Sequence, residues 1–126
     1  MRKFIIGITV LSILLLSGLL VAKATKEMYR PIINLLEEAA DAALAGNFEI
    51  AKQQADKAKQ LWDTQKKATA TVADHTPMED IDHLFAETEI YAQTEELPHF
   101  AACCAQLAGM VKAMGDAHAP NLWNLL

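Results

Sequence analysis

His83 follows Glu79 by four residues and precedes Glu87 by four, a spacing that stacks all three side chains on one face of a helix. An imidazole between two carboxylates could hold a divalent metal ion. Closed zinc sites, however, draw on sets of Cys and His, and the di-metal bundle proteins need Glu-x-x-His on two helices with further glutamates on two more. The chain offers neither set, so Glu79, His83 and Glu87 read first as a solvated acidic face carrying a titratable histidine. No metal and no other cofactor is expected.

Cys103 and Cys104 are the two thiols of the chain. On a helix, neighbouring side chains diverge by about 100°, so a bridge between them would break the helix. Both therefore read as small buried hydrophobes. Exported proteins commonly form disulfides, and two unpaired thiols would imply weakly oxidising surroundings or a bridge between copies. His75 stands just before one helix, and His118 closes the seam of another, where a cation meets the negative end of the helix dipole. With Trp62 these two histidines are candidate packing or contact residues, and a pocket among the three is a place for a small ligand. No G-x-S-x-G elbow and no base beside a cysteine accompany them. No catalytic residue is nominated, and the chain reads as a non-enzyme.

Apolar residues recurring at steps of three and four show which elements must position these groups. Tyr29, Ile33, Leu36, Ala40 and Ala43 form the seam of a first helix, which Gly46 ends. Phe48, Ala51, Ala55, Ala58 and Trp62 line a second, from Phe48 to about Thr71, built mostly of alanine. Thr76-Pro-Met-Glu79 has the form of a capping box with proline in the first helical position. The third helix behind it carries Met78, Ile81, Leu84, Phe85, Thr88, Tyr91 and Ala92 on one side. A fourth begins after Leu97-Pro98 with Phe100, Cys104, Leu107, Val111 and Met114, and the apolar segment Asn121-Leu-Trp-Asn-Leu-Leu126 is expected to fold back on it. The five lysines of the second helix and the acidic run around the third favour those two as neighbours. The fold class is all-α: an up-and-down antiparallel bundle of about four helices.

Ahead of the bundle, residues 4–22 form an uncharged apolar run behind Arg2 and Lys3. Nineteen helical residues reach about 28 Å, close to the roughly 30 Å hydrocarbon core of a bilayer. The chain thus divides into a membrane anchor or signal peptide at 1–24 and an extracytoplasmic bundle at 25–126. Length favours a retained anchor. Ala22-Lys23-Ala24 also fits a signal-peptidase site, and cleavage after Ala24 would secrete the domain. Arg2 and Lys3 face Lys23 and Lys26 across the run, and the amino terminus tips the orientation towards a cytoplasmic start.

Residues 25–126 hold eight Lys and Arg against sixteen Asp and Glu, a formal charge of −8. Such a domain is no general nucleic-acid binder and is poorly suited to lie along anionic headgroups. With the anchor, the Ala-rich second helix ending in Leu61-Trp62, the Asp74-His75 step and the closing Leu122-Trp-Asn-Leu-Leu126, the chain resembles the bacterial domain-of-unknown-function family 4363. The resemblance implies a short, anchored, exported helical protein of a Gram-positive-like envelope. It implies no activity, marks Trp62 and His75 as packing or contact positions, and does not account for the Cys103-Cys104 pair. The function expected is that of a membrane-anchored interaction or accessory module whose partner is another protein, such as an integral membrane protein. The alternative is a helical domain that binds a metal or a small ligand.

Overall fold

The computed structural model describes residues 1–69 and 75–117. Four helices account for nearly all of them: α1 Arg2–Leu44, α2 Phe48–Thr69, α3 His75–Gln93 and α4 Leu97–Ala117. No strand occurs among the described residues. The apolar run and the first bundle helix are one uninterrupted α1, with Pro31 inside it. Proline there withholds one N–H from the helical ladder; its ring is exposed.

The three-residue connections are built alike. After α1, Asn47 N donates to Ala42 O at 2.8 Å and Gly46 N to Ala43 O at 3.1 Å, the paired bonds of a Schellman cap, with Gly46 at φ 78°. After α3, Glu96 N donates to Tyr91 O at 3.0 Å and Glu95 N to Ala92 O at 3.3 Å. Here the left-handed position is filled by Glu95 at φ 56°. A side chain in that region costs roughly 1–2 kcal/mol relative to its ordinary conformation. Glu95→Gly is therefore expected to raise stability by about 1 kcal/mol, read as a higher midpoint in chemical unfolding; an unchanged or lower midpoint would contradict the strain. Asn47 also caps α2, its Oδ1 accepting from Ile50 N at 3.4 Å.

In the bundle, α1 packs most extensively on α4 and α2, and α3 packs on α4. Tyr29 meets Trp62 and Glu38 meets Gln54, which sets α1 and α2 antiparallel. As the opposite charges suggest, α2 and α3 are neighbours, but their contact is slighter than those of α1 with α4 and α2 or of α3 with α4, and side chains rather than backbones join them. The seams are otherwise as the spacing implies, with one shift. At that step of α1 the fully buried residue is Ile32, and Ile33 is only partly buried. α3 also starts at His75, one residue ahead of the expected cap at Thr76. Pro77 remains in the first turn, where its missing N–H has no helical acceptor to lose.

The core has two parts. Nearer the apolar half of α1 it is large and aromatic, with Tyr29, Leu36, Trp62, Ile81, Phe85 and Leu107. Nearer the two capped connections it is largely alanine, from Ala39, Ala40, Ala43, Ala51, Ala55 and Ala92 around Phe100 and Cys104. Outside the bundle, the large apolar residues from Phe4 to Val21 are 47–70% exposed. This stretch has a mean hydropathy of 2.7 with none of it buried, and is long and apolar enough to cross a membrane; a signal sequence meets the same criteria.

Candidate functional site

The most organised polar contact lies where α2 and α3 come together. Trp62 is buried between Tyr29 and Phe85, each with its ring centroid 6.5 Å away. Its indole N–H cannot be left unpaired in such a place without a cost of about 1–3 kcal/mol. It donates to Asp82 Oδ1 at 2.8 Å, and Lys66 Nζ donates to Asp82 Oδ2 at 2.8 Å. Both carboxylate oxygens are thus engaged. Desolvation alone would push the Asp82 carboxyl up, but the hydrogen bonds from Lys66 and Trp62, with the charges of Lys66 and Lys59, outweigh it and hold the group below its ordinary value. The hydrogen bond to Asp82 likewise raises Lys66, against the opposing effect of burial.

A carboxyl whose folded pKa lies below the ordinary 3.8 contributes stability that is fully present above that value and is lost as pH falls through the folded pKa. Asp82→Asn is accordingly expected to flatten the acid limb of stability below about pH 4. The Lys66 and Asp82 side chains are 35% and 38% exposed, so water screens the ion pair and its share at neutral pH is under about 1 kcal/mol. Unfolding midpoints measured from neutral to acid pH check this; parallel curves for the two proteins would contradict it.

Beyond this contact α2 and α3 leave an open groove of about 420 Å³. Lys52, Lys59 and Glu89 stand at its rims, and Ala55, Thr88 and Phe100 line it. The hydroxyl of buried Thr88 is engaged, donating to Leu84 O at 2.7 Å.

The residues singled out from sequence separate in space. Glu79, His83 and Glu87 are all exposed along α3, and no group of three or more His, Cys, Asp or Glu among the described residues is arranged to hold a metal ion. Trp62 is a core residue. The His75 side chain and His118 lie outside the described residues, as does the segment expected to fold back on the bundle. A further cluster was not anticipated: Tyr91 stacks on His99 with centroids 5.1 Å apart, its hydroxyl donates to Glu87 Oε1 at 3.3 Å, and His99 Nδ1 is 3.8 Å from Glu96 Oε2. The four-residue step from Glu87 to Tyr91 and the three-residue step from Glu96 to His99 were its local signals.

Cys103 and Cys104 are free and buried, so a bridge between copies has no exposed sulfur to use. Burial, reinforced by Cys103, pushes the Cys104 thiol up to about 12. Burial and the charge of Glu87 raise Cys103 against the opposing contact with Thr88. The thiolate is the reactive form. A water-soluble thiol reagent at neutral pH is therefore expected to label neither cysteine at the rate seen in denaturant, with Cys104 the slower. Equal labelling rates for folded and unfolded protein would contradict the packing of α4.

Comparison with protein families matches residues 19–125 to a domain of unknown function (DUF4363), in agreement with the resemblance drawn from the sequence. The match begins inside the apolar run and covers the whole bundle. No curated protein and no solved structure matches the chain.

Proposed function

The chain belongs to the DUF4363 family, and on that premise we propose that it is a membrane-tethered, non-enzymatic helical bundle, standing outside the cytoplasm, that serves a protein partner as an interaction or accessory module. One observation carries the reading. A single helix, α1, is exposed and apolar over its first half and packs one face into the bundle, against α2 and α4, over its second. An apolar surface of that extent in water is strongly unfavourable, and a bilayer is the environment that removes the cost.

The retained anchor is supported by helical continuity across Ala22-Lys23-Ala24, with the Thr25 hydroxyl donating to Val21 O at 2.8 Å. Cleavage after Ala24 would have to open this helix. The organised polar residues support a binding rather than a catalytic role, since Asp82, Lys66 and Trp62 already satisfy one another. The groove between α2 and α3 favours the second reading, a small zwitterionic ligand held among Lys52, Asp56, Lys59 and Glu89.

Full-length protein in a bacterial host tests the first reading in three steps. It should remain with membranes after alkaline washing, be cut by protease added outside the cell, and be captured by a short amine crosslinker with a membrane or envelope protein. Release by alkali would refute the tether, protease resistance the orientation, and absence of any crosslinked species the partner. Retention of the binding partner in a Lys52→Ala, Lys59→Ala variant would separate the partner role from the groove.

A further inference from the structure

Two adjoining cavities, of about 630 and 330 Å³, share Glu37 and Lys112 and form one groove along α1 and α4. No residue of α2 or α3 lines either of them. The α4 wall steps outward through Pro98, Ala102, Ala105, Gly109 and Lys112, all exposed. Leu44 of α1, 75% exposed, stands at the end nearest the capped connections.

Two features of this wall have no cause within one molecule. α4 is nearly as long as α2 but holds two formally charged residues, Lys112 and Asp116, where α2 holds eight. A helix face turned to water ordinarily carries charge, as that of α2 does, and a helix poor in charge all round is one that is covered. Gly109 is the second feature. Glycine weakens a helix interior relative to alanine, and a Cβ here would meet nothing within 4 Å. At Gly115, by contrast, a Cβ would already lie 3.4 Å from the Tyr29 ring. The small side chains from Ala102 to Gly109 let the backbone of a further helix come close.

The charges along the groove indicate which helix. On α1 they run Arg30, then Glu37 and Asp41; on α4, Asp116 lies at the Arg30 end and Lys112 at the level of Glu37. Lys26 takes Asp116 at 3.5 Å, while Arg30, Glu37, Asp41 and Lys112 make no ion pair among the described residues. A copy of the same chain pointing the same way brings Lys112 to the level of Glu37 and Asp116 to that of Arg30, and a two-fold axis forms each contact twice.

We propose that the groove between α1 and α4 is filled by α4 of a second copy of this chain, giving a two-fold dimer whose axis runs parallel to α4. Its direction rests on the tether reading above: two copies anchored in one bilayer share an axis along the membrane normal. Leu44 of each copy then covers the Pro98–Ala102 end of the other α4, and Ala102 and Gly109 each face their own counterparts. Confinement to one membrane raises the effective concentration of the copies, so a modest interface suffices.

The test uses the full-length protein in vesicles of phosphatidylglycerol and phosphatidylcholine, treated with a thiol oxidant. Ala102→Cys and Gly109→Cys are each expected to join to themselves, since copies pointing the same way bring like residues together at both levels. Gln53→Cys on exposed α2 and the unaltered protein, whose thiols are buried, should stay monomeric. Lys112→Glu and Glu37→Lys, each added to Ala102→Cys, should lower the yield of dimer about tenfold because like charges then meet. Mixing these two variants should restore it, in dimers containing one of each. Gly109→Leu with Ala102→Cys should keep the helix content by circular dichroism and lose the dimer. Joining of Ala102→Cys no greater than that of Gln53→Cys would overturn the proposal, as would an undiminished yield in Gly109→Leu or in the single charge variants. In bacterial membranes, capture of a different protein at Ala102→Cys in place of a second copy would overturn it too. Absence of dimers from protein that resists alkali defeats this inference alone, whereas release by alkali with dimers intact defeats the tether and leaves the pairing.

Discussion

Trp62→Ala is expected to lower the stability of the bundle by about 3–5 kcal/mol, the range for truncating a large aromatic residue in a closed core. The loss has three sources. A cavity opens between Tyr29 and Phe85, which the indole now keeps apart. Asp82 loses its Trp62 donor while still held by Lys66. The join between α2 and α3 weakens as well, and these helices have little other contact to compensate. For a domain whose whole stability is of order 5–15 kcal/mol, such a loss is a large fraction. Trp62→Phe keeps most of the apolar volume and removes the donor, so it should cost about 1–3 kcal/mol. Its effect should also fall short of additive with Asp82→Asn, since the two share one hydrogen bond. Circular dichroism of the full chain during urea unfolding in mild detergent measures these three variants and the Trp62→Phe, Asp82→Asn double variant. A shift for Trp62→Ala no larger than that for Trp62→Phe would show that the pocket collapses around the missing ring.

Much of this arrangement was legible in the chain because amphipathic helices announce their buried face by spacing alone. The seams of α2, α3 and α4 emerge nearly as the three-and-four steps imply, Ala51, Ala58, Trp62, Ile81, Phe85, Leu107 and Val111 among them. The left-handed Gly46 was legible for the same local reason. What escaped depended on residues far apart. Asp82 looked like one more member of an acidic face, and nothing near it in sequence shows that Trp62, twenty residues earlier, needs an acceptor. Glu95 took a conformation that glycine would normally signal, so the second cap carried no mark. Opposite charge on α2 and α3 marked them as neighbours, but exposed ion pairs bring little energy and do not decide how closely the backbones pack. Apolar area does, and α1 offers it to α2 and α4 on two sides.

That two-sided burial explains the shift in the α1 seam. A helix facing one partner shows a narrow stripe, and the 3.5-residue template selects Tyr29, Ile33, Leu36, Ala40 and Ala43. A helix wedged between two partners buries a wider face. The observed set is Tyr29, Ile32, Leu36, Ala39, Ala40 and Ala43, in which Ala39 and Ala40 are adjacent and point to different neighbours. Small side chains there let the backbones of α1 and α2 approach, while the bulk required nearer the apolar half of α1 comes from Tyr29, Ile32 and Trp62. The core thus grades from aromatic to alanine along the axis, and the helices are held most firmly by large side chains close to the apolar half of α1.

The gradient sets the size of a second expected effect. Ile32 is fully buried and Ile33 is packed at the edge of the same cluster. Ile32→Ala should therefore cost about 2–5 kcal/mol, because the deleted carbons leave a cavity walled by side chains that cannot all move inward. Ile33→Ala removes similar carbons from a position already partly in water, where solvent fills the space, and should cost about 1 kcal/mol. The pair is a sharp comparison, since the substitutions are chemically identical, adjacent on one helix and equally distant from the apolar half. Helix propensity favours alanine at both positions by the same small amount and cancels between them. If Ile33→Ala proved the more damaging in urea unfolding, the face of α1 would have to turn by about 100°. The wedge between α2 and α4 would give way to the narrower seam that the heptad pattern alone implies.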